Sequence, residues 1–236
     1  MGDVDDVSRS RAPAQLPLDL PTEESYGDAD FLTSPANRAA IELIARWPDW
    51  PDQTLLVVGP AGAGKSHLCA IWARRSGAVA VSPTDIPSPP RLSALAPRAF
   101  TLDGVDAVKD ETALFHFLNF VKESGAALLM SARRLPSAAD VALPDLLSRL
   151  RRAPVVEIGA PDDELIRAVL EKLFRDRQLN VEASLIEFVA LRLERSLGAA
   201  RGFVRALDRE ALARGRRVTR ALAGEVLEAF EPLKDS

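Results

Sequence analysis

TLLVVGPAGAGKSHLCAIWARR, residues 54–75, decides how the rest of this chain is read. A short apolar run, TLLVV, leads straight into a glycine-rich loop, and the loop leads into a helical stretch. The loop residues Gly59, Pro60, Ala61, Gly62, Ala63, Gly64, Lys65 and Ser66 fit the pattern G-x-x-x-x-G-K-[ST]. Its glycines let the backbone curl with N–H groups pointing inward, as a row of phosphates requires. Lys65 would then reach the terminal phosphates, and the Ser66 hydroxyl would coordinate Mg²⁺. The order strand, loop, helix separates such a phosphate loop from a glycine-rich turn that matches by chance.

Working outward, further short apolar runs alternate with helical stretches: AVAV at 78–81, AFTLD at 99–103, AALLM at 126–130 and VVEI at 155–158. Runs that are apolar on both faces and separated by helices predict a parallel sheet covered on two sides, here with five strands. A phosphate loop also needs a carboxylate at the end of a neighbouring strand to hold the metal through water, and AFTLDGVD places Asp103 there. In many P-loop ATPases a second acidic residue follows at once and activates the attacking water. Here that position is Gly104. Asp106 is expected to cap the helix through VKDETALFHFLNFVKE, which puts self-contained hydrolysis in doubt while leaving nucleotide binding intact.

Upstream, SPANRAAIELIARW predicts a helix with Ser34 as its N-cap and Pro35 at its first position. Residues 1–25 mix charges, serines and prolines with few aromatics and predict a flexible arm, so the base domain is expected over 26–160. After Gly159 the strand signals stop. Four amphipathic stretches, opened by Pro161 with Asp162, Asp163 and Glu164, predict a small all-helical second domain over 161–236.

The chain has 236 residues, 47% of them hydrophobic, enough for a full core. A formal charge of −4 argues against general electrostatic binding of nucleic acid. A single cysteine excludes an internal disulfide, and two histidines leave nothing spaced like a metal site. With no long apolar run, the expected location is cytoplasmic, with no membrane partner.

Two groups of arginines carry more than one meaning. Arg149, Arg151 and Arg152 in LPDLLSRLRRAP either satisfy the carbonyls at their own helix end or offer a guanidinium to a nucleotide held by another subunit. Arg201 in SLGAARGFVRALDRE stands at the start of a helix, where its charge opposes the macrodipole. It belongs either to a solvated charged face or to a phosphate contact.

In this order, SPANRAAIE, GPAGAGKSHL, the strand ending in Asp103, LPDLLSRL and GAARGFVRALDR resemble the AAA+ family. Within it they are similar to the nucleotide-binding domain of the bacterial replication initiator DnaA and its short, Hda-type regulatory homologues. The resemblance covers essentially the whole chain and implies an α/β P-loop base domain, a five-stranded parallel sheet with helices on both faces, plus a small helical lid. It implies that Phe31 and Leu32 lie against adenine, that Gly59 to Ser66 with His67 form Walker A, and that Asp103 is Walker B. Arg149 would be an arginine finger acting in trans, and Arg201 the sensor 2 arginine of the lid.

Two departures stand out: Gly104 in place of an acid, and Ala132 in the sensor 1 stretch LLMSARRLP where the initiator pattern has an aspartate. Both imply a member that holds its nucleotide with Mg²⁺ as a structural cofactor; in this subfamily that nucleotide is ADP, with ATP as the alternative. The initiator's C-terminal DNA-binding module finds no counterpart after TRALAGEVLEAF, so direct sequence-specific DNA binding is not expected.

The arm carries the last clue. QLPLDL, with Gln15, Leu16, Leu18 and Leu20 in residues 15–20, is similar to the short peptide by which bacterial proteins dock on the β sliding clamp of DNA polymerase III. An extended peptide sends leucines into an apolar groove, and Pro17 lowers the entropy lost on binding. The resemblance thus implies a replisome-associated regulator that meets DnaA on the clamp and promotes hydrolysis of its ATP. An adaptor that only tethers a partner or loads a helicase, an autonomous ATPase, and self-association through the same surface all stay open.

Overall fold

The computed structural model describes residues 32–95 and 97–230. The arm over 1–25, the clamp-like residues Gln15, Leu16, Leu18 and Leu20, and Phe31 lie outside the described residues. The elements run in the order α1 (Arg38–Ala45), β1 (Thr54–Val58), α2 (Lys65–Ser76), β2 (Val79–Val81), α3 (Pro89–Leu95), β3 (Ala99–Leu102), α4 (Glu111–Ser124), β4 (Ala127–Ala132), α5 (Pro144–Arg152) and β5 (Val155–Glu157). Four helices follow: α6 (Asp163–Asp176), α7 (Ala183–Ala190), α8 (Leu197–Arg214) and α9 (Arg220–Ala229). Among the described residues no helix is long and apolar enough to cross a membrane.

The five strands form one parallel sheet in the order β2-β3-β4-β1-β5. Because successive side chains of a strand point to opposite faces, each apolar run feeds two cores. Leu56 and Val58 of β1 join Phe100, Leu102, Leu128 and Met130 on the face covered by α3, α4 and α5, where Phe117 is fully buried. Leu55 and Val57 point the other way with Ala99, Leu129 and Val156, against α1 and α2. On that face Trp72 stacks on Trp50, ring centroids 5.1 Å apart, and meets Trp47 edge-on. Complete burial of each such leucine or phenylalanine contributes about 1.5–3 kcal/mol, which is why a two-sided sheet has near-continuous apolar strands.

Helices α6 to α9 enclose a separate core centred on Leu170, Phe174, Phe203 and Leu207. Their starts are chemically marked: the side chains of Asp162, Ser196 and Thr219 accept from the N–H groups of Leu165, Ala199 and Leu222.

Local boundaries differ from expectation at four places. Helix α1 starts at Arg38 with Asn37 at its N-cap, not at Pro35 behind Ser34. Ser34 instead builds a turn: its N–H donates to Asn37 Oδ1 at 2.8 Å and its Oγ accepts from Ala36 N. Asp106 does not cap α4. Asp110 does, accepting from Ala113 N at 2.9 Å, while Asp106 sits in a 3-10 turn and accepts from Arg133 N. Strand β4 runs on to Ala132, taking in Ser131, because pairing with β1 carries it past the apolar run. Helix α7 ends at Ala190, sooner than the periodicity through 195 predicts, where Arg192 folds back to donate to Phe188 O at 3.1 Å.

Candidate functional site

The phosphate loop leaves the carboxyl end of β1, the strand paired on both sides, where a doubly wound sheet places its ligands. Gly59 N donates to Ala132 O at 3.2 Å, anchoring the loop to β4. A Cβ on Gly59 would come within 2.3 Å of the Ile158 carbonyl oxygen, so the residue must be glycine for the loop to pass over the end of the sheet. Gly62 and Gly64 have φ of 70° and 101°, conformations that L side chains resist. The second of them places the loop at the N-terminus of α2, whose first N–H groups lack intrahelical acceptors.

Lys65 is buried and curls over the loop, its Nζ donating to the carbonyls of Gly59 and Pro60 at 2.8 Å each. Ser66 is exposed on the first turn of α2. Residues 59–66 thus fit a polyphosphate with Mg²⁺: an ammonium at the mouth, a free-standing hydroxyl position at the helix start, and two backbone turns that only glycine accepts easily.

Asp103 leaves the end of β3, and the register that pairs Leu102 with Met130 brings it level with Ser131 on β4. The fully buried Ser131 hydroxyl donates to Asp103 Oδ1 and accepts from Gly104 N at 2.8 Å. One hydroxyl therefore orients the carboxylate and fixes the turn after it. Gly104 has φ of 81°, so the position after Asp103 is one that glycine suits and a glutamate does not. The sequence hint to Ser131 was a lone hydroxyl in an otherwise apolar strand.

Cys69, one turn beyond Ser66, registers the charges beneath the loop. Burial pushes its thiol up to about 12; the nearby Asp103 carboxylate adds to the rise and Lys65 opposes it.

The helical bundle closes on the loop. Leu197 N donates to Gly62 O at 2.9 Å, and a Cβ on Gly62 would lie 2.0 Å from Ser196 Oγ. Arg201 extends to His67, its Nη2 lying 2.6 Å from Nδ1. Leu32 packs against the helical core, and its carbonyl accepts from Asn37 Nδ2 at 2.9 Å. Arg149 is placed elsewhere: its guanidinium lies 5.1 Å from the centre of the Phe115 ring on α4. Of the two arginines singled out in the sequence, Arg201 meets the loop region of its own chain. Arg149 has no loop contact among the described residues.

No protein-family model matches the chain. The fold has clear counterparts among solved structures. Domain III of the Thermotoga maritima replication initiation protein DnaA superposes with a TM-score of 0.71 at 20% identity, over 89% of this chain and 99% of that one. A replication initiator DnaA bound to AMPPCP and single-stranded DNA gives 0.63 at 17% identity, over 81% and 68%. A variant of Thermotoga maritima RuvB gives 0.62 at 13%, over 82% and 68%. The fold is that of DnaA domain III and of RuvB. Within this fold the five-stranded parallel sheet is the one expected from the sequence; the glycine-rich loop follows β1 and helices α6 to α9 follow β5.

Proposed function

We propose that this chain is a DnaA-type regulator that holds ADP or ATP with Mg²⁺ as a structural cofactor and promotes hydrolysis of ATP bound to the initiator. Gly59 to Ser66 would hold the phosphates, Ser66 and Asp103 the metal, the latter through water, and Leu32 with Phe31 the adenine. Bound Mg²⁺ would neutralise phosphate charge. Lys65 would exchange its two carbonyl partners for phosphate oxygens, and Ser131 would keep the Asp103 carboxylate aimed as it is now.

The observation that carries the proposal is the site around Asp103. Asp103, which would help to hold the nucleotide's metal, is oriented by Ser131, while the next position is a glycine at positive φ whose N–H is already engaged. A chain built to bind but not to activate water acts on a nucleotide other than its own. Arg149, on the last turn of α5 and clear of the loop, would supply the guanidinium to the initiator's ATP, stabilising charge as the γ-phosphate departs. Docking of Gln15, Leu16, Leu18 and Leu20 on the β sliding clamp would place the chain at the replisome.

The test combines ATP-loaded DnaA, clamp loaded on DNA, and this protein, and follows conversion of initiator-bound ATP to ADP. The parent chain accelerates conversion, Arg149→Ala loses the effect by about a hundredfold or more, and Gln15→Ala loses it unless protein is in large excess. If Arg149→Ala matches the parent, the finger assignment is wrong. A stable complex with no change in the initiator's nucleotide would instead support a tethering adaptor.

A further inference from the structure

Helix α8 meets the phosphate loop at two points, one turn apart on the same helical face. Leu197, its first residue, donates its N–H to Gly62 O at 2.9 Å, and Arg201 reaches His67 at 2.6 Å. Gly62 lies in the middle of the loop and His67 directly after Ser66, so the helix clasps the loop from both sides of Lys65. His67 is buried and Arg201 half-buried.

The chemistry of this pair has one solution. A guanidinium holds its protons at any pH a protein meets and has no acceptor, so it must be the donor. His67 Nδ1 must then be unprotonated, with the ring proton on Nε2. In that tautomer the imidazole fixes the direction of the Arg201 fork and ties α8 to the residue following the Mg²⁺-binding hydroxyl.

We propose that His67 is a positioning residue. Through Nδ1 it holds Arg201, and with it the helical bundle, against the phosphate loop, so that nucleotide affinity and the position of α8 are coupled. The coupling rests on the loop being a nucleotide cradle; the contact itself does not.

Two measurements separate the parts. The chain has two histidines, so long-range ¹⁵N–¹H correlation spectra of the imidazoles are simple, and His116→Gln assigns them. The expected spectrum shows His67 as the single Nε2–H tautomer with an acceptor Nδ1 shift, and Arg201→Ala moves that nitrogen toward the averaged value of a free imidazole. The second measurement is affinity for a fluorescent ADP analogue. His67→Ala and Arg201→Ala each weaken binding by about tenfold, as loss of a charge-assisted hydrogen bond does, and the double variant is no weaker than either single one. His67→Asn, whose Oδ1 occupies the place of Nδ1, stays within about threefold of the parent.

An Nδ1 signal indifferent to Arg201→Ala, or losses that multiply in the double variant, would overturn the proposal. Lys65→Ala serves as the separate test of the cradle. If it binds as tightly as the parent, the nucleotide assignment falls together with the coupling, while the imidazole spectrum still decides the contact.

Discussion

Gly104→Glu would restore the acidic side chain that follows the metal-binding aspartate in many P-loop ATPases, and the structure predicts that it restores nothing else. Gly104 has φ of 81°, where an L residue costs about 1–2 kcal/mol. Space is not the obstacle, since the nearest atom to an added Cβ, that of Ala107, is 3.8 Å away. Relaxing φ to relieve the strain would pull the residue's N–H off Ser131 Oγ, now 2.8 Å distant, and forfeit a bond worth about 0.5–1.5 kcal/mol. The same hydroxyl holds Asp103, so the carboxylate proposed to bind the metal would loosen as well.

The expected loss is therefore about 1–3 kcal/mol by urea denaturation, or a melting midpoint lower by about 2–12 °C for a chain of this size. Gly104→Ala should lose the same amount, which separates backbone strain from added charge. Phosphate release from ATP by isolated Gly104→Glu protein should not rise above that of the parent. A variant as stable as the parent within about 0.5 kcal/mol, or one that turns ATP over, would refute the reasoning about this turn.

Gly62→Ala combines positive φ with a Cβ 2.0 Å from Ser196 Oγ, so it should destabilise the fold by about 2–4 kcal/mol in urea titrations and be partly rescued by Ser196→Gly. An unchanged midpoint would mean that α8 does not press on the loop. Among the described residues Arg149→Ala removes only a ring contact at a partly exposed site and should change stability by less than about 1 kcal/mol, so that the proposed loss of effect on DnaA-bound ATP would not be a folding defect. Cys69 is held protonated in the fold up to about 12, against an ordinary value of 9.0. Below pH 9 this thiol adds no pH dependence. Above it the unfolded chain loses the proton first, and stability should fall by about 1.4 kcal/mol per pH unit until the folded value is reached. Denaturation at pH 8 and pH 10 should show that slope in the parent and not in Cys69→Ala; equal slopes would place Cys69 in a more solvated site.

The strands were legible because their signals are local. TLLVV, AVAV, AFTLD, AALLM and VVEI are apolar on both faces, and β1 to β5 formed within a residue or two of each. The glycine-rich turn after β1 was legible for the same reason, since its glycines answer to backbone conformations that neighbouring residues do not change. The carboxylate at the end of β3 followed from a strand's end being readable.

Other features waited on packing. Ser34 and Asp106 are good capping residues, yet Asn37 and Asp110 took those places, because a cap is chosen by where the helix axis must lie against its core. Ser131 gained its role only when β4 came to lie beside β3 and put its hydroxyl level with Asp103. Arg201 and His67, 134 residues apart, and Ser196 against Gly62 met only when the helical bundle closed on the loop. The sequence alone determined which backbone could cradle a phosphate and which strand could offer a carboxylate, since those depend on torsions and local period. Only the tertiary structure decided which side chains aim and clasp that cradle, because such contacts are set by the relative placement of elements that no local pattern encodes.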